Sequence, residues 1–360
     1  MKRIYYLLLL LISLTSCETM NSFKMSCLQP GLFNFPEDIK KVGIVNNTRY
    51  TFGIDSLKGY YKLSKTEIAS STYTDGNKAA EALANELADK KYFDEVVICD
   101  SALRTKDSIY RHETLSLDEI KDLAEGLQVN AIISLEQLNV KAQKDVSFSP
   151  EYNCIEGTVD VKVQPMVSVY IPTRKGPILS IAPKDSIYWR EYGNTIPEVE
   201  AKLPNDSRIV MESCDFAGTV PVKYLIPCWE EQRRIYFSDQ VSTKLKNASA
   251  AVSNNDWDTA KSIWKTIYDK SSNNNTRMKM AYNMATYYEM TSKFDEALDY
   301  INKAKEYLLG KEKVQSPDQL TGKSAYYYGI IKEYTSILEK RKEKLGILNL
   351  QLSRFNNENK

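Results

Sequence analysis

Two stretches of this chain repeat one another in type. Trp257-Asp258-Thr259-Ala260 returns as Phe294-Asp295-Glu296-Ala297: an aromatic residue, an acid next to it, and an alanine three positions on. Met284, Ala285 and Tyr288 lie at helical spacing before the second copy, and Ala304 follows Ala297 at helical spacing behind it. An aromatic turn between two such stripes describes a helical hairpin. A hairpin of this kind buries its apolar face only against a neighbouring hairpin. The duplication therefore constrains the C-terminal part to stacked helices. A weaker helix around Leu245, Ala248 and Val252 precedes Trp257. Tyr328, Ile331, Tyr334 and Leu338 carry the period through residues 325–344 as a partial third unit or cap.

The segment 282–304 resembles a tetratricopeptide repeat, and the resemblance assigns roles. Met284 and Ala285 stand where the first helix needs a large and then a small residue. Tyr288 is its aromatic knob, Phe294 fills the turn, and Ala297 and Ala304 let the second helix approach. Trp257 and Ala260 take the matching places in the earlier copy. The resemblance further implies a concave face for a peptide or partner helix, with Lys279, Tyr282, Thr286 and Glu289 on it. The alternative is an ordinary solvated helix face. Tyr282 and Thr286 stand where some repeats carry a paired Lys and Asn, so a clamp for a terminal carboxylate is not expected.

Before residue 229 the pattern differs. Lys41-Val42-Gly43-Ile44-Val45-Asn46-Asn47 reads as a buried strand ending in turn residues. Ala79, Ala80, Leu83, Ala84, Leu87 and Ala88 form one helical face behind a cap at Asp75 or Asn77. A strand at 95–99 follows. Ser116-Leu117-Asp118-Glu119 is a capping box opening a second helix, and Ala131-Ile132-Ile133-Ser134-Leu135 is a third strand. Short connections and right-handed crossovers favour parallel pairing of these strands. Strict alternation from Val159 to Ile171, then 178–182 and 186–189, adds half-solvated antiparallel strands. The expected fold class is α/β plus α: a mixed sheet with flanking helices over 37–228, then tetratricopeptide-type repeats over 229–345 and a polar tail over 346–360. Residues 229–236 are expected to open the helix joining the halves. Residues 40–140 resemble the N-terminal domains of periplasmic lipoproteins, among them the curli-secretion channel lipoprotein and activators of penicillin-binding proteins. Those domains bind proteins or assemble, and no catalytic residue comes with the resemblance.

The first seventeen residues read as an address. Lys2 and Arg3 precede an apolar run from Ile4 to Ile12, which is too short for a permanent span. Leu14-Thr15-Ser16-Cys17 resembles the bacterial lipobox. It implies a signal peptide over 1–17, lipid attachment at Cys17 and membrane binding through several acyl chains. Residues 18–36, polar and holding Pro30, Gly31 and Pro36, are expected to be a tether. No aspartate follows Cys17, and the reading is an outer-membrane lipoprotein facing the periplasm. The whole layout resembles a family of Bacteroidota outer-membrane lipoproteins with C-terminal repeats and no assigned activity.

Net charge is +1, with acids and bases mixed, which argues against a nucleic-acid partner. His112 is the single histidine, no Cys-x-x-Cys spacing exists, and no metal site is expected. Phosphate-loop and nucleophile-elbow motifs are absent. No cofactor and no catalytic residue is expected. Cys27, Cys99, Cys154, Cys214 and Cys228 sit in a compartment that permits disulfides, and Cys214 with Cys228, flanking a turn expected at Gly218, is the first pair to test. Tyr188, Trp189 and Tyr192 suit sheet-edge packing or stacking on a sugar. The functional expectation is a non-enzymatic adaptor that binds an envelope protein. A glycan-binding or envelope-processing lipoprotein and a self-assembling component are the alternatives.

Overall fold

The computed structural model describes residues 18–48, 69–72, 75–104, 114–239 and 241–355. The chain divides into two compact units. One holds Pro30–Cys228 with Leu350–Lys360, and the other holds the chain up to Gln29 with Trp229–Asn349. The architecture is α/β plus α.

The α/β unit is built on β2 (Lys41–Asn46), β3 (Ala69–Thr72), β4 (Glu95–Ile98), β5 (Ala131–Ser149), β6 (Cys154–Tyr170), β7 (Leu179–Ile181) and β8 (Asp185–Gly193). β4, β2 and β5 pair in that order and all in parallel. The other pairings are antiparallel. Helix α1 (Gly76–Asp89) leads from the β2 side to β4, and α2 (Leu117–Leu127) from β4 to β5. The two helices cover opposite faces. Val42, Ile44, Ala131 and Ile133 pack with α1 in one cluster, and Val45 and Ile132 with Ile120 and Ala124 of α2 in another. Further helices, α3 (Ile196–Lys202), α4 (Asp206–Thr219) and the short α5 (Val222–Leu225), extend the first face. Asp75 caps α1 through its bond to the Lys78 amide, and Ser116 with Glu119 forms the capping box of α2.

Two details of register have local causes. Ala131, Ile133 and Leu135 join the α1 cluster, but so do Leu138, Val140 and Ala142. This change of parity requires one extra residue, and the β5–β6 register shifts between Leu135 and Gln137. Glu136 is that residue, the bulge that re-aims a side chain. β7 and β8 run along one edge of β6 in a single continuous register. They are separated where Pro183 comes opposite Pro165, two residues without an N–H to give to the ladder. Gly218 does not make a turn. It lies inside α4, and it is a glycine because a Cβ there would collide with the Ala79 carbonyl and Ala82 of α1.

The second unit contains α6 (Thr243–Ser253), α7 (Trp257–Lys270), α8 (Asn274–Met290), α9 (Phe294–Glu312) and the long α10 (Gly322–Leu352). The last residues of α10 count with the α/β unit, where Gln351 bonds both to the backbone N–H and to the C=O of Gly31. The α6–α7 and α8–α9 turns match bond for bond. Asn255 and Ser292 are left-handed (φ 59° and 55°). Asp256 N–H donates to Ala251 O and Lys293 N–H to Tyr288 O, while Asn255 N–H meets Val252 O and Ser292 N–H meets Glu289 O. Both ends are thus Schellman caps, thirty-seven positions apart.

The expected tether and joining helix are corrected. Glu18–Gln29 is strand β1 and Cys228–Asp239 is strand β9, and the two form a two-stranded sheet of their own. Along β1 the buried Met25 and Cys27 alternate with the exposed Ser22, Lys24 and Ser26, a period of two rather than a structureless segment. Residues 229–236 carry β-branched and aromatic residues at their end and polar alternation before it, and tertiary pairing decides for strand. Residues 346–352, expected in a polar tail, continue α10. His112 lies outside the described residues.

Candidate functional site

β9 brings the main cluster of the helical unit together. Tyr236 points into a cluster with Ala248, Ala260, Trp264 and Met284. Phe237, on the other side of the strand, enters the cluster of Tyr282, Ala285, Ile301, Tyr327 and Tyr334. Asn283 of α8 holds the strand at Phe237, accepting its N–H (2.7 Å) and donating to its C=O (2.8 Å). One helical turn beyond Thr286, Glu289 is fully buried. Its carboxylate accepts from Arg234 Nε and Nη2 (2.9 and 2.8 Å), from Arg341 Nη1 of α10 (2.6 Å) and from the Tyr334 hydroxyl (2.8 Å). Burial alone would raise the Glu289 pKa, but the hydrogen bonds and charge of Arg234, with Arg341, hold it below the ordinary value. Burial pushes the Cys27 thiol of β1 up, against the nearby Arg341.

The open concave face expected at Lys279, Tyr282, Thr286 and Glu289 is therefore filled by the chain itself. Tyr282, Thr286 and Glu289 are buried, and Lys279 is half-buried. The physical reason is that β9 and α10 pack there, bringing Arg234 and Phe237 from the strand and Tyr334 and Arg341 from the helix. Of the packing residues, Ala260, Met284, Ala285, Phe294, Ala297 and Ala304 are buried. Trp257 is half-buried 4.6 Å from the Phe23 ring of β1, and Tyr288 stacks on Tyr300 at 5.4 Å. Nothing local in the sequence names Glu289 as the partner of Arg234, since the residues are 55 positions apart.

A second polar cluster lies just past the carboxyl end of β2, beside the bulge in β5 where its parallel pairing with β2 ends. Glu136, aimed by the bulge, accepts from Asn47 Nδ2 (2.6 Å) and the Tyr170 hydroxyl (2.7 Å). Arg104 Nε donates to Asn47 Oδ1 (2.7 Å), and Arg104 also pairs with Glu119 (2.9 Å). Burial and the carboxylate of Glu136 raise the Tyr170 pKa. On the other face Asn46 accepts from Thr48, and a Cβ on Gly76 would strike these two side chains. The start of α1 is thus occupied by Asp75, Asn46 and Thr48, which leaves no cradle for a phosphate there.

Elsewhere the surface offers an open hollow of about 810 Å³, lined by Lys144 and residues 200–208. Tyr188 and Tyr192 are exposed on β8, Tyr192 in edge contact with Tyr152 (5.4 Å), whereas Trp189 turns inward onto the α1-side core. Cys214 and Cys228 are free thiols, as are the other three described cysteines. Cys214 accepts from the Asp75 N–H, and burial pushes its pKa up to about 11. No cluster of metal-ligating side chains occurs among the described residues.

No curated protein matches the chain. A family model described as a domain of unknown function, DUF6340, matches residues 246–340, the stretch from α6 into α10. A second family model spans more than half of the chain, taking in the sheet and β9 as far as Phe237. By that match, over residues 39–237, the chain belongs to the family described as a domain of unknown function, DUF8603.

Proposed function

We propose that the protein is a lipid-anchored, non-enzymatic adaptor of the bacterial cell envelope. In this reading acyl chains on Cys17 hold it at the outer membrane, facing the periplasm, and the helical unit docks a protein partner. The observation that carries it is the repeated hairpin: two helix pairs closed by the same Schellman turn at one fixed offset, in the manner of tetratricopeptide-type stacks. Such stacks present surfaces rather than reaction centres. The buried carboxylates support the same reading. Each oxygen of Glu136 and Glu289 is already engaged by an internal donor, the pattern of a structural polar network. In this reading the outer side of α10 is the surface offered to the partner, and Tyr326 (57%) is exposed there.

The test is photocrosslinking in the native envelope with a crosslinker at position 326 in the full chain. One discrete protein adduct supports the adaptor, and absence of any adduct opposes it. Glycan binding through Tyr188 and Tyr192 is the second reading, favoured by their exposure on β8. It requires polysaccharide retention that Y188A/Y192A abolishes.

A further inference from the structure

We propose that residues 350–355 are a ligand that the protein binds to itself, and that the site they fill on the α/β unit is a docking site for an arginine-bearing peptide of a partner protein. Neither Cys17 nor the Tyr326 surface enters into it. Residues 350–355 count with the α/β unit, and the receptor side is held in shape by that unit's own core. Leu32 N–H bonds the Tyr224 carbonyl (2.6 Å), and Gly31 lies so close to α5 that a Cβ would meet the Leu225 carbonyl at 2.6 Å. Phe33, Phe35, Phe93 and Tyr92 follow one another as edge-to-face rings at 5.0, 5.0 and 5.1 Å. The segment 31–39 and its rings are thus preorganised for an occupant.

The occupant is recognised at three side chains. Gln351, fully buried, accepts from the Gly31 N–H (3.0 Å) and donates to the carbonyls of Gly31 (2.9 Å) and Phe33 (3.0 Å). One side-chain amide makes with Gly31 the two bonds that a neighbouring strand would make. Arg354 Nη2 donates to the Ile39 carbonyl (2.7 Å), and the guanidinium lies over the rings of Tyr92 (4.4 Å) and Phe93 (5.4 Å), within reach of cation–π attraction. Carbonyl oxygens beside ring faces select a cation. Phe355 meets the Tyr92 ring at 5.7 Å.

Polar contacts to backbone, rather than apolar burial, hold this segment. Leu350 is 62% and Phe355 37% exposed, and the chain closes in a single 3-10 turn, Ser353–Phe355. A part that buries little apolar surface opens locally before the rest unfolds. The fit is also incomplete. The Tyr92 hydroxyl, in a residue 4% exposed, is buried without a hydrogen-bond partner among the described residues, as is Arg354 Nη1. A competing segment with a side-chain amide, an arginine three residues on and an acceptor for the Tyr92 hydroxyl would replace the polar contacts and satisfy that buried group.

The probe is a fluorescein-labelled peptide of residues 347–356, titrated by anisotropy against the full chain carrying Cys17→Ser, with and without Gln351→Ala/Arg354→Ala. The chain with its own segment disabled is expected to bind the peptide. The chain with its segment intact is expected to bind about tenfold more weakly or worse, because its site is already taken. A peptide carrying Arg354→Ala is expected to bind neither. Arg354→Ala alone in the chain, which keeps the buried Gln351, is the second variant should the double one lose its circular dichroism, and it is expected to gain affinity several-fold. No binding to a folded variant overturns the site. Equal affinity of variant and intact chains overturns its occupation by the C-terminal segment. Retained binding of the Arg354→Ala peptide overturns the requirement for arginine.

Discussion

Glu289→Ala is the sharpest probe of how the ribbon is held. The substitution strands Arg234, 7% exposed, and Arg341, 14% exposed, around an empty site, and it removes the acceptor of the Tyr334 hydroxyl. Breaking a buried pair by removing one partner costs about 3–5 kcal/mol, against roughly 0.2–1 kcal/mol for an exposed pair. With a urea slope of about 2 kcal/mol per molar, the helical unit should lose about 1.5–2.5 M in its unfolding midpoint. Trp229, Trp257 and Trp264 lie in that unit and Trp189 in the other, so tryptophan fluorescence in a Trp189→Phe background follows the helical unit. A shift worth less than about 1 kcal/mol would refute the argument, because β9 would then be a loosely laid strand rather than a clamped one.

Acidification provides an independent reading of the same group. The folded pKa of Glu289 lies below its ordinary value. Its stabilisation is therefore complete above the unfolded carboxylate range and is lost as pH falls through the folded value. Wild type should lose stability progressively below about pH 4.5, and Glu289→Gln should show a flatter profile over that window. Arg234→Ala in a double-mutant cycle with Glu289→Ala should show strong coupling, the double variant losing less than the sum of the singles.

Other outcomes follow from the same geometry. Gly218→Ala should destabilise the α/β unit by about 1–3 kcal/mol through overpacking against α1, read by thermal unfolding. Under native conditions a thiol reagent at pH 8 should modify Cys99 and Cys154, which are half-buried, and spare Cys27, Cys214 and Cys228 until denaturant is added. Cys17→Ser should release the protein from membranes while leaving its circular dichroism unchanged, and quantitative retention in the membrane fraction would refute the anchor.

The α/β half was legible because its signals are local. The capping box at Ser116, the apolar face of α1 and the buried strand before Asn46 each announce themselves within a dozen residues, and short connections then order the strands. Glu136 shows where legibility stopped. The sequence marks a strand over 131–135 only, and the parity change across Leu135-Glu136-Gln137-Leu138 emerges from the β5–β6 pairing. The hydrogen-bond partners of Glu136, Asn47 just past β2 and Tyr170 of β6, are distant in sequence and leave no local trace.

The helical half shows the converse. Its helices and the duplicated turn were visible, but what packs against them was not, because β1 and β9 meet across more than two hundred residues. Nothing in the local composition of 18–29 favours a strand over a tether: polar residues on one side and Met25 and Cys27 on the other suit a ribbon only once a surface exists to bury them. That surface is made by helices that come later in the chain, and Tyr236 and Phe237 are buried on both sides of β9 only because two helix clusters flank it. β1 is thus folded by residues that come more than two hundred positions later in the chain. If Arg234 and Glu289 are uncoupled, β1 loses the partner strand that orders it. The same variant that weakens the helical unit should therefore raise hydrogen exchange along 20–29. Exchange there that stayed at the wild-type rate in Glu289→Ala would show that β1 is ordered by something other than β9.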